Sequence, residues 1–255
     1  SGGKIVFHDF SLSGLTGLSA FLADHTGGSG VYESSDYSKD GEVTALQTAT
    51  RGNGINIVLL GDAFSDRLVA DGTYDGTMRK AMEHFFSEEP YKSFRDLFNV
   101  YAVNVVSKNE AYGSGAQTAL DGFFGDGTHV GGNDDKCRQY AMKVPGITYD
   151  NIDNALIIVM MNRTYYAGTC YMYYPSSGDY GQGLSIAYFP LGTDDGMFGQ
   201  LLHHEAGGHG FPKLADEYAY EEYGQIPWNK VQSAKQLEPY GWWRNIDFTG
   251  DVSQV

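Results

Sequence analysis

Three of the chain's seven histidines fall within seven residues, in Leu201-Leu202-His203-His204-Glu205-Ala206-Gly207-Gly208-His209-Gly210-Phe211-Pro212. Two imidazoles and a carboxylate at such density can hold a divalent ion and keep a base beside it. In the HExxH pattern the histidines at i and i+4 share one helix face, and the Glu between them holds an attacking water. Here His204 and His209 are one residue further apart. At about 100° per residue, an ideal α-helix sets positions five apart roughly 140° from one another, instead of roughly 40° for four. A regular helix therefore cannot aim both at one ion, whereas a single π-type turn can. Gly207 and Gly208 stand where the additional residue has to be absorbed. The helix is expected to bulge or unwind over Ala206 to Gly208, with both glycines taking angles that other residues resist. Glu205 and His209, four apart, are the rival ligand pair, but that pairing would consume the motif's only general base. His203 points away from both and is assigned to packing.

Catalytic zinc takes a third protein ligand and keeps one position open. Pro212 stops the helix, so the chain turns and an acid from Asp216-Glu217 can return to the ion. Asp216, seven residues after His209, is the preferred ligand and Glu217 the second choice. Glu205 then takes a proton from water and passes it to a leaving amine. A donor for the developing oxyanion is also needed, and Tyr218 is the candidate by proximity. A purely structural helix whose histidines bond locally has no need of this density.

The elements that must position this helix are legible upstream. Ile55 to Leu60 has the length and branching of a buried strand. Met78, Ala81, Met82, Phe85 and Phe86 recur with the stripe of an amphipathic helix, which Pro90 is expected to end. Val100 to Val106 reads as a second strand, Ala111 to Gly132 as a Gly-rich stretch, and a short helix carries Cys137 and Met142. Ala155 to Met161 is a buried strand, and Thr169 to Tyr174 a fourth. Strands alternating with helices give an α+β architecture, a mixed sheet with helices packed on it. Residues 1–50, rich in Gly, Ser, Thr and Asp, read as an appendage or linker, and 51–255 as the main domain. Trp242 to Asp247 is expected to pack under the site. The start at Ser1 without Met, and the abrupt end at Val255, suggest a removed leader and a truncated C-terminal part.

Composition narrows the function classes. With 17 Lys and Arg against 32 Asp and Glu the formal charge is −15, which disfavours nucleic-acid binding because no basic face displaces counterions. The longest apolar run, Ala155 to Met161, is far short of the ~20 residues of a membrane span. Cys137 and Cys170 lack CxxC spacing and are expected to pair if the protein works outside the cytoplasm. The 19 tyrosines, the acidity and the sparse Lys suit a secreted, periplasmic or cell-surface protein. Serine-hydrolase and P-loop readings lack their GxSxG and GxxxxGK[ST] motifs. Asp71 to Gly76, and Asp126, Asp134 and Asp135 in Gly-rich loops, could bind Ca²⁺. Position twelve from Asp71 is Met82 instead of Glu, however, so solvated loops fit them better. His8, His25, His84 and His129 are isolated and read as surface residues.

Leu214-Ala215-Asp216-Glu217-Tyr218, at its interval from His209, resembles the IgA-specific metallopeptidase family of the zincin clan, whose helix and following turn read approximately HExGH…LADEY. Asn56 to Asp62, Glu89-Pro90-Tyr91 and Phe98-Asn99-Val100-Tyr101 resemble it too, so the likeness runs from about residue 52 to the end. The additional Gly of HEAGGH departs from the family pattern, although zinc helices spaced HExxGH are known in the dipeptidyl peptidase III family. The resemblance implies a zincin-like fold and a secreted bacterial zinc endopeptidase cleaving an extracellular protein or glycoprotein, without implying immunoglobulin as the substrate. No Met follows His209, so the Met-turn of metzincins is absent from the sequence. The reading from another class is a non-catalytic surface-binding protein that keeps a structural zinc site. Glu205 argues against it, since such a site has no use for a base.

Overall fold

A computed structural model describes residues 31–174, 183–216 and 228–246, and the chain divides between Tyr32 and Glu33 into two compact units. The second unit is built, in chain order, from β1 (Val43–Gln47), β2 (Ile55–Asp62), α1 (Asp66–Ala70), α2 (Thr73–Phe85), β3 (Phe98–Val103), β4 (Phe123–Phe124), β5 (Val130–Gly131) and α3 (Asp134–Ala141). There follow β6 (Ala155–Met161), β7 (Thr169–Met172), β8 (Ser185–Pro190), α4 (Asp195–Leu202), a π-helix (His203–Gly210) and α5 (Trp228–Lys235).

Six strands form one mixed sheet in the order β1-β3-β2-β6-β8-β7. β3, β2, β6 and β8 run parallel, with registers such as Leu59↔Ile158 and Ile158↔Ala187, while β1 and β7 close the two edges antiparallel. Parallel strands covered on both faces need apolar residues at every position, and β6, ALIIVMM, is buried throughout. On one face Ile57, Leu59, Leu156, Ile158 and Phe189 pack under α2, α4 and the π-helix. On the other, Val58, Leu60, Ile157, Val159 and Tyr188 pack against α3 and the loops around it. α2 buries Met78, Ala81, Met82 and Phe85, the stripe read from the sequence, but it ends at Phe85, short of Pro90.

Several segments differ from their expected bounds. β1 lies inside the stretch read as an appendage, yet it pairs with β3 from Val43↔Val103 to Gln47↔Val100. β3 ends at Val103, short of Val106, whose N–H donates to the Asp40 side chain at 2.9 Å instead of to a neighbouring strand. β8 and α4 were not foreseen, although Asp194 caps α4 in the usual way, its side chain accepting from Met197 N–H at 2.9 Å. Cys137 and Cys170 do not pair, and both are free thiols. Cys137 lies on one face of the sheet beside the Tyr188 hydroxyl at 3.2 Å, whereas Cys170 belongs to the cluster on the opposite face.

Candidate active site

α4 runs without a break into the π-helix, which spans His203–Gly210. Its register shows in the bond from Phe211 N–H to Ala206 O, five residues back, at 2.9 Å. The wider turn brings His204 and His209 onto one face, as their spacing demands, with their Nε2 atoms 3.2 Å apart. The glycines achieve this differently from the expectation: neither Gly207 nor Gly208 has a positive φ. A π-turn spreads its widening over several residues, so no single one has to adopt a left-handed angle. Gly207 is constrained by space instead, since a Cβ there would stand 3.2 Å from the Tyr91 ring, whose hydroxyl donates to Gly207 O.

Beyond the helix the chain reverses at Lys213, which is held at φ +57°. Its buried ammonium donates to Gly210 O at 2.7 Å and to Ser185 Oγ, tying the last carbonyl of the helix to β8. Burial pushes the Lys213 pKa down to about 8. Trp243 N–H donates to Lys213 O at 2.7 Å, and the Asn245 amide bonds both backbone groups of Ala215, at 3.0 and 2.8 Å. The segment around Trp243 thus braces the turn that returns Asp216 to the helix. Asp216 Oδ1 lies 3.4 Å from His204 Nε2 and 3.2 Å from His209 Nε2.

Among the described residues, His204, His209 and Asp216 are the group of three or more such side chains placed to hold a metal ion. Ligands bonded at about 2.0–2.1 Å in a tetrahedron stand about 3.3 Å from one another, and the triangle of 3.2, 3.2 and 3.4 Å fits that spacing. His209 Nδ1–H donates to Leu214 O at 2.7 Å, which leaves the Nε2 lone pair facing the other two donors. Glu205 is buried at 5% exposure, and that burial, with the Asp216 carboxylate, pushes its pKa up to about 8. His203 faces elsewhere, its Nε2 being 3.3 Å from Ser87 Oγ.

A cleft of about 1210 Å³ opens in front of these groups, walled by Thr169, Cys170 and Met172 of β7 and by Trp243 and Ile246. His129 and Gly168 also line it. Sequence reasoning had read His129 as an isolated surface residue, and it is exposed, but had passed over Gly168, since neither sits in a motif. His129 Nε2 lies 2.9 Å from the Tyr171 hydroxyl. Glu217 and Tyr218 lie outside the described residues. Of the acids weighed for Ca²⁺, Asp71 accepts from Thr73 N–H at the start of α2, Asp75 pairs with Arg79, Asp135 with Arg138, and Asp134 accepts from Tyr188.

The profile of the IgA Peptidase M64 family matches residues 43–254. The chain belongs to that family. It is a metallopeptidase, a hydrolase acting on protein, and the family match opens on the first residue of β1, so the whole six-stranded sheet belongs to the peptidase unit. No curated protein matches the chain. No helix among the described residues is long and apolar enough to cross a membrane.

Proposed function

We infer that this M64 peptidase is a zinc-dependent endopeptidase of zincin-like build, with Zn²⁺ held by His204, His209 and Asp216 and with Glu205 as general base. The observation that carries the reading is the donor triangle with a buried carboxylate beside it. Two imidazoles and one carboxylate at tetrahedral spacing form the donor set of catalytic zinc. A zinc ion held by these residues would supply Lewis-acid chemistry, lowering the pKa of a bound water from near 16 toward ~7. Glu205 would accept a proton from the attacking water and hand it to the leaving amine, and its burial would keep bulk solvent from competing for the proton. Tyr218, two residues beyond Asp216, is the proposed oxyanion donor.

β7 is an edge strand, and three of its residues wall the cleft. An extended substrate can pair with this edge as an added strand. No Lys or Arg lines the cleft among the described residues, so nothing there would anchor a terminal carboxylate, which favours internal cleavage. The acidic, Tyr-rich composition supports an extracellular, periplasmic or surface location and a protein or glycoprotein substrate.

The test is metal analysis of the purified chain together with cleavage of labelled casein and a panel of host glycoproteins. About one zinc per chain and cleavage abolished by a chelator are expected. Zinc without cleavage of any panel member would favour a binding protein with a structural ion.

A further inference from the structure

Glu205 lies directly against the backbone of Gly168, the residue that precedes β7. A Cβ at position 168 would stand 2.2 Å from Glu205 Oε1 and 2.7 Å from its Cγ and Cδ, well inside van der Waals contact. Glycine is not required there by the backbone, since Gly168 has no positive φ. The nearest atoms that a side chain there would meet all belong to Glu205.

The wall itself cannot step back. Gly168 N–H donates to Thr128 O at 3.1 Å, Thr169 Oγ1 donates to Gly168 O at 2.8 Å and accepts from Val130 N–H at 3.1 Å, and the neighbouring Ala167 is 1% exposed. Behind Glu205 the π-helix is equally fixed, with Ala206 fully buried in the core. Of the two partners, the Glu205 side chain is the one that can move, by rotating about its own bonds toward the cleft. A methyl group at 168 therefore displaces the carboxylate and leaves the fold in place.

We propose that Gly168 is a positioning residue for the general base: its lack of a side chain is the seat that holds the Glu205 carboxylate beside the donor triangle. The proposal rests on Glu205 being the base. A reacting group misplaced by about 1 Å can cost on the order of 10²-fold in rate, and the loss falls on turnover, because neither the three donor residues nor the edge of β7 is altered.

The test compares Gly168→Ala, Gly168→Ser and Glu205→Gln in the full chain, reading kcat and KM on labelled casein, zinc content, melting temperature and a crystal structure of Gly168→Ala. The expected result for Gly168→Ala is kcat lower by about 10²-fold, with KM, zinc content and melting temperature as in the wild type. Gly168→Ser should be no better, and the crystal structure should show Glu205 in a different rotamer. Glu205 found in its original position in that crystal would overturn the proposal, whatever the rate. So would wild-type kcat in Gly168→Ala beside an inactive Glu205→Gln, which leaves the general-base reading intact. A kcat loss accompanied by lost zinc or a lowered melting temperature would also overturn it, by making Gly168 a structural residue. Turnover that survives in Glu205→Gln would instead remove the base on which the proposal rests.

Discussion

α2 and the α4–π-helix rod lie on the same face of the same sheet and share one apolar cluster, yet they are built by different rules. α2 keeps α-helical geometry for all 13 residues and turns Met78, Ala81, Met82 and Phe85 toward the sheet. The second rod begins in the same way, with Phe198, Leu201 and Leu202 buried from a capped start, and then widens over its last eight residues, where His204 and His209 must meet. Packing alone is satisfied by a period of 3.6. The wider turn forgoes that regularity so that two side chains five residues apart converge, and it does so only where the apolar stripe has already anchored the rod. The one helix is explained by what it covers, the other by what it must hold.

The sharpest way to break this contrast is to remove one of the convergent groups. His209→Ala should lose essentially all zinc and all cleavage while the core stays folded, because two donors no longer enclose an ion. Full zinc occupancy in that variant, by metal analysis, would sink the assignment. Next in size is Glu205→Gln, which keeps the three donors and the side-chain volume. Zinc should stay and turnover should fall by ~10² to 10⁴-fold, and retained turnover would mean that another residue is the base.

On the packing side, Met78→Ala in α2 should lower stability by about 2–5 kcal/mol through an unfilled cavity. Its zinc content at low temperature should be that of the wild type, and a denaturant titration paired with metal analysis checks both halves. The smallest expected effect concerns the brace. Native Lys213 releases its proton near pH 8, well before the ordinary 10.5 that applies once the chain unfolds. Between these values the unfolded state holds more protons, so stability rises with pH through that window and is penalised below it. Relative to Lys213→Met, the wild type should gain on the order of 3 kcal/mol from pH 8 to 10.5. A difference that stays flat with pH would mean that the ammonium is not buried.

What the sequence revealed followed from how local each cause is. The α2 stripe and the all-apolar β6 carry their reasons within a dozen residues, and so does the His204–His209 interval, which by itself demands a widened turn. Gly207 and Gly208, expected to take angles that other residues resist, have no positive φ, because the spacing states that a turn must widen and not how the angles share the change. β8 was hidden by Ser185, Ala187 and Pro190, which interrupt its apolar run, although both of its faces are buried. β1 was hidden by its half-exposed VTALQ pattern at a sheet edge. Gly168 and His129 could not be found from the chain at all, since what makes them part of the cleft is a tertiary approach between segments far apart in sequence. The cysteine pairing failed for a related reason: spacing says nothing about which face of a sheet each thiol will occupy.

The amide of Asn245 that grips Ala215 is separated from it by thirty residues of chain. A ribosome adds residues in order, and contacts that span such intervals close after the local ones. All six strands of the sheet, and the helix that bears His204 and His209, precede Asp216 in the chain, whereas the residue that tethers the loop of Asp216 follows it by twenty-nine positions. The third member of the triangle is thus the one whose placement depends on chain made last, and loss of the segment around Asn245 should loosen Asp216 while leaving the sheet and both histidines where they are.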